Sequence, residues 1–128
     1  MRPVARTAVV ASSAGDLRAT FTNENPRTAD ALWDALPLQG EALRWGQEVY
    51  FPVEVALPPE TTREVLEVGE IAYWPAGPAV ALFFGPTPAS RGEEPRAASG
   101  VNVFARFVDN AARLGAVHSG ETAVLRRA

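Results

Sequence analysis

Asn102, Phe104 and Arg106 alternate along one short stretch of this chain. In a strand, successive side chains point to opposite faces, so these three share a face over ~14 Å. An amide, an aromatic ring and a guanidinium placed together suit a polar ligand, with Arg106 gripping a carboxylate or carbonyl. The plainer alternative is an outward face on which Arg106 pairs with Glu48 or Glu54 and Phe104 covers a helix. Tyr73 and Trp74 lead straight into Pro75-Ala76-Gly77. Rings at such a turn can stack on a flat or proline-like ligand face, or they can fill the core. Tyr50 and Phe51 stand on a second alternating stretch, where Phe51 with Trp74 would supply apolar walls and Asn102 with Arg106 would fix orientation. No residue is assigned a catalytic role.

Other chemistry has little to stand on. Glu48 and Glu54 fall on one strand face but ~20 Å apart, beyond the roughly 10 Å of a paired-carboxylate site. They read as solvated charges. His118 is the only imidazole, and the chain has no Cys, so neither a common zinc site nor a thiolate centre is expected. His118 reads as a surface residue, no Gly-x-Ser-x-Gly elbow accompanies it, and no Gly-rich phosphate loop precedes a helix. All twelve basic residues are Arg, which removes Schiff-base and P-loop lysine mechanisms. No cofactor and no metal is expected.

The elements that must position these residues are mostly strands. An apolar/polar alternation over 4–11, the turn residues 12–16 and a second alternation from Leu17 to Thr22 predict an opening hairpin. Asn25-Pro26 predicts a helix start capped by Asn25, and Ala29, Leu32, Trp33 and Leu36 form one apolar stripe ending before Pro37. Val49, Phe51, Val53, Val55 and Leu57 mark the clearest period-2 strand, with Pro52 arguing for an edge or a bulge. Residues 68–88 hold two apolar segments around Trp74-Pro75-Ala76-Gly77, a type I turn pattern, and four of the eleven aromatic residues. That concentration predicts a β-hairpin. A loop is expected over 86–100, a strand over 101–108, a short helix capped by Asp109 or Asn110, and a last strand over 121–126.

Three stretches carry a family likeness: Trp45-Gly46-Gln47-Glu48-Val49-Tyr50-Phe51, residues 68–88, and Val101-Asn102-Val103-Phe104-Ala105-Arg106-Phe107. Together they resemble the small prokaryotic cyclophilin-like domain proteins, which share the cyclophilin fold. The resemblance covers nearly the whole chain. It implies a mainly β protein: a closed cyclophilin-like barrel of about eight mostly antiparallel strands, with a short helix near each open end. True cyclophilins are peptidyl-prolyl isomerases, and Phe84 by that analogy would line an apolar pocket. Ala76-Gly77-Pro78, Phe83-Phe84 and Val103-Phe104-Ala105-Arg106 are similar to pieces of their pattern. The departures are specific. Tyr50-Phe51-Pro52-Val53 stands where cyclophilins carry a Phe-His-Arg and a Gln-Gly-Gly-Asp run, and Leu82 stands where Gln precedes the two Phe.

With 128 residues and a net charge of −3 lacking any block of like charge, one domain over 1–128 is expected, with no nucleic-acid footprint. Arg2 and Arg6 before residues 7–14 are too short a leader for a signal peptide, and no segment approaches a membrane span. A cytoplasmic location without membrane partners is expected, with self-association possible through exposed strand edges. The expected function is binding of a small molecule or short peptide at the barrel mouth beside Trp74. A divergent prolyl isomerase, or an interaction module using the 86–100 loop or the edge near Pro52, are the alternatives.

Overall fold

The computed structural model describes residues 5–128. Val4 and Arg2, invoked for the first strand and the leader, lie outside the described residues. The opening hairpin is β1 (Thr7–Ser12) and β2 (Gly15–Phe21), paired antiparallel from Thr7 with Thr20 to Ser12 with Gly15. Helix α1 (Pro26–Ala35) follows, with Pro26 in the first turn and Ala29 and Leu32 buried. Its start differs from expectation. Asn25 is fully buried and makes no side-chain cap. Its amide instead donates to the Val103 carbonyl (2.9 Å) and accepts from the Thr61 amide (2.6 Å). A buried amide must find partners in space, and here they lie on other elements. The Glu60 carboxylate takes over at the helix start, accepting from the Arg27 and Thr28 amides at 3.2 and 3.0 Å, where negative charge suits the helix dipole.

The remaining strands are β3 (Leu38–Glu41), β4 (Leu43–Arg44), β5 (Glu48–Pro52), β6 (Arg63–Val65), β7 (Glu70–Trp74), β8 (Ala79–Phe83), β9 (Arg96–Phe107) and β10 (Thr122–Arg127). The predicted hairpin over 68–88 is β7 and β8, and its turn is closed by the Gly77 amide donating to the Trp74 carbonyl (3.1 Å). The short C-terminal helix is a 3₁₀ helix, Ala111–Ala116, capped by the Asn110 side chain. Hydrogen-bonded neighbours run β3-β10-β1-β2-β9-β7-β8-β5-β4, with β6 added on β9.

The fold is therefore mainly β and antiparallel, but it corrects the expected closed barrel of about eight strands. Ten strands form an open sheet, whose path ends at β3 and β4. These two are successive in the chain, separated by Ala42 alone. Each pairs away from the other, β3 with β10 and β4 with β5. At Gly40 β3 comes close to β5, where a Cβ would stand 2.4 Å from the Pro52 carbonyl oxygen. Only Gly fits so close a backbone approach. Pro52, which pairs with Ala79 on one side and lies past the end of β4 on the other, has no amide proton to start a further ladder.

The strand predicted over 101–108 is longer than expected, because β9 begins at Arg96 and shortens the preceding loop. It pairs with β6 near its start and with β7 and β2 near its end. Between the pairs Ile71–Ala105 and Ala72–Val103 the register shifts, leaving Phe104 as the extra residue. Such a bulge breaks strict alternation. Phe104, Ala105 and Phe107 join the main core, whereas Val101 and Val103 face a second, smaller cluster.

That main core draws on β1, β2, β5, β7, β8, β9 and β10, so the sheet curves around it. The second cluster covers the other face of β7 and β8 through Leu66, Ala72, Ala81, Phe83, Ala97, Val101 and Val103, with Tyr50 and Trp74 packed against it. Strands covered on both faces read as continuous apolar runs, as 79–84 does.

Candidate functional site

Alternation along two strands builds the site. On β5, Val49 and Phe51 enter the main core, which turns Glu48 and Tyr50 to the opposite face. On β7, Ile71 and Tyr73 enter the main core, which turns Ala72 and Trp74 the other way. Tyr50 pairs with Ala81 and Trp74 with Ala79 across β8. Small side chains between the two large rings let them meet edge to face, with centroids 6.2 Å apart and planes at 82°. The start of β9 supplies Ala97, Ala98 and Val101, and a cavity of about 230 Å³ opens among these residues, Trp45 and Glu48.

Trp45 and Glu48 are set by a tight turn. The Trp45 amide donates to the Glu48 carbonyl at 3.0 Å and the Glu48 amide to the Trp45 carbonyl at 3.2 Å. Gly46 within it has φ +60°, and a Cβ there would lie 2.9 Å from the Thr87 Cα. Both conformation and crowding demand Gly. The Arg44 guanidinium braces the turn by donating to the Gly46 carbonyl at 3.0 and 3.1 Å and to the Val117 carbonyl at 3.0 Å. Trp74 is held by its Nε1–H, which donates to Ser99 Oγ at 2.7 Å.

Glu48 corrects the reading of a solvated charge. It is only 6 % exposed, and its Oε1 is buried without a hydrogen-bond partner among the described residues. Burial pushes its carboxyl up to about 7, because a low-dielectric surrounding disfavours the charged form. The face that alternation assigns to Glu48 is not solvent but the wall of a cavity.

Of the expected binding residues, the structure brings Tyr50 and Trp74 together at this cavity. Phe51, Tyr73 and Phe104 are fully buried in the main core. Phe104 packs edge-on against Phe21 at 5.2 Å. The Tyr73 hydroxyl donates to the Val55 carbonyl (2.6 Å) and accepts from the Leu57 amide (2.9 Å). Phe84 is a core residue under the Arg44 guanidinium, 5.1 Å from its ring centroid. Asn102 is fully buried, donating to Thr28 Oγ1 and the Pro58 carbonyl and accepting from the Glu60 amide, each near 3 Å. Tyr73 and Asn102 thus strap the extended 55–60 segment under α1. Arg106 is exposed and pairs with Glu67 at 2.9 Å and Glu70 at 3.9 Å, not with Glu48 or Glu54. Trp45 and Glu48 were not among the expected residues. Their signal was present in the Trp45-Gly46-Gln47-Glu48 turn and in the shared face of Glu48 and Tyr50.

His118 is exposed. Among the described residues, no cluster of three His, Cys, Asp or Glu side chains is placed to hold a metal, and no helix is long and apolar enough to cross a membrane.

Comparison with known proteins follows the architecture. The solution structure of the hypothetical protein AF2241 from Archaeoglobus fulgidus is similar, with 38% identity and a TM-score of 0.83 over 99% of this chain and 98% of that one. McbB, solved in complex with tryptophan, shares the fold at 15% identity and a TM-score of 0.67, over 94% of this chain but only 44% of McbB. No curated protein sequence matches. The model of the Cyclophilin-like family matches residues 7–126, and this chain belongs to that family.

Proposed function

We propose that this protein binds a small molecule in the cavity walled by Trp45, Tyr50 and Trp74. The observation that carries this reading is the buried Glu48 carboxyl, its Oε1 unpartnered, in the wall of an otherwise apolar cavity. A buried polar group without a partner costs about 1–3 kcal/mol, and a bound donor offsets that cost. Apolar walls with one convergent polar group are the usual composition of a ligand pocket. At about 230 Å³ the cavity is below the roughly 300–1,000 Å³ of drug-sized sites, so it suits a small ligand or a single peptide side chain. An isomerase reading has less support, because Phe51 and Phe104 lie in the core and Glu67 and Glu70 occupy Arg106.

The test is an NMR titration following the indole N–H signals of Trp45 and Trp74. Indole and tryptophan, the latter suggested by the McbB complex, serve as first probes within a fragment set. Saturable shifts of these two signals are expected in the wild type and not in Ala98→Trp, which fills the exposed rim. Absence of any saturable shift across the set would refute small-molecule binding here.

A further inference from the structure

We infer that the ligand of this cavity is a small amine bound as its cation, with a compact apolar body against the rings and its charge toward Glu48. The inference rests on the cavity being a small-molecule site. Two indoles and a phenol ring supply its aromatic surface, and the Tyr50 and Trp74 planes stand at 82° to each other, forming a corner. Aromatic faces carry negative potential and attract ammonium groups, by about 2 kcal/mol or more once water is excluded. Glu48 is the one charged side chain among the lining residues.

Among the described residues, no cation pairs with it. The Arg44 side chain is committed to the Gly46 and Val117 carbonyls. Arg63 is held by Glu24 and Glu70, Arg96 by Glu94, and Arg106 by Glu67. The Trp74 Nε1–H is spent on Ser99. An anionic ligand would meet a carboxylate and no positive charge. At pH 8, where Glu48 is ionised, a neutral ligand would leave that buried carboxylate without a counter-ion, a costly arrangement. A cation alone answers both the aromatic faces and the acid.

Three probes of one shape and different charge decide the matter: tert-butylammonium, tert-butanol and trimethylacetate. Each is titrated at pH 8 into wild type and Glu48→Gln, again following the Trp45 and Trp74 indole signals. Wild type is expected to bind the ammonium about tenfold more tightly than the alcohol, the carboxylate being weakest. Glu48→Gln is expected to lose that preference and to bind the ammonium and the alcohol alike. Equal binding of ammonium and alcohol by the wild type, or a preference that survives Glu48→Gln, overturns the amine inference and leaves the cavity as a small-molecule site. Failure of all three probes to move the indole signals overturns the amine inference, and the small-molecule reading falls with it only where indole, tryptophan and the fragment set are silent as well.

Discussion

Glu48 shows how one residue couples the site to the stability of the fold. Its carboxyl is shifted from 4.5 to about 7 by burial. Between those values the folded protein holds a proton that the unfolded chain has released, so raising the pH favours unfolding. The stability linked to Glu48 is complete below pH 4.5 and falls by about 3 kcal/mol as pH rises through 7. Glu60, Asp109 and Glu121 are shifted downward and act with the opposite sign, below their ordinary range, so the two effects occupy different windows. The urea midpoint of the wild type is expected to drop between pH 5 and pH 8, while that of Glu48→Gln stays level. A wild-type midpoint that does not change over this range would mean that Glu48 is hydrated. The residue was legible in the sequence as the strand neighbour of Tyr50 but not as a buried acid. Alternation assigns a side chain to a face and cannot say what covers that face.

At the scale of elements, the period-2 and helical patterns carried most of the reading. The β7–β8 hairpin and α1 lie where apolar spacing and turn residues put them, whereas the strand expected from Val49 to Leu57 ends as β5 at Pro52. The misplacements have local physical causes. The bulge at Phe104 sends two consecutive residues to the same core, so the expected trio of Asn102, Phe104 and Arg106 is divided between a buried strap, the core and an exposed ion pair. Backbone approach decides the ends of the sheet. Gly40→Ala would place its Cβ 2.4 Å from the Pro52 carbonyl oxygen, against backbone that cannot step aside as a flexible side chain can. A loss of about 1–3 kcal/mol is expected, the usual cost of forced overpacking, read as a lower urea midpoint at unchanged slope. A midpoint equal to wild type would show that β3 and β5 have room to separate.

At the scale of the molecule, the sheet is unevenly supported. β7 and β8 are paired along both edges and covered on both faces, whereas β3 and β4 end the path with one edge free. Local opening follows such differences. Amide hydrogen exchange is expected to be slowest at Ile71, Tyr73, Val80 and Leu82, and at least about a hundredfold faster along β3 and β4, a gap of ~3 kcal/mol in opening free energy. Uniform protection across the sheet would contradict this order. An open path with strong central strands also leaves the cavity on the best-supported part of the fold, where Tyr50 and Trp74 stand on rigid strands.

The amino-acid sequence by itself determined the mainly β character, the hairpin over 68–88, the helix before Pro37 and the family, because these depend on short-range periodicity, turn chemistry and motif spacing. It also placed Tyr50 and Trp74 among the residues of interest. Only the tertiary structure decided that the sheet stays open between β3 and β4, that Phe51, Tyr73, Phe104 and Asn102 are fully buried, and that Trp45 and Glu48 join Tyr50 and Trp74 around a cavity. Those outcomes depend on which elements meet across long sequence separations and on what each face is packed against. Glu48, on β5, shares its cavity with residues from the start of β9, some fifty residues downstream.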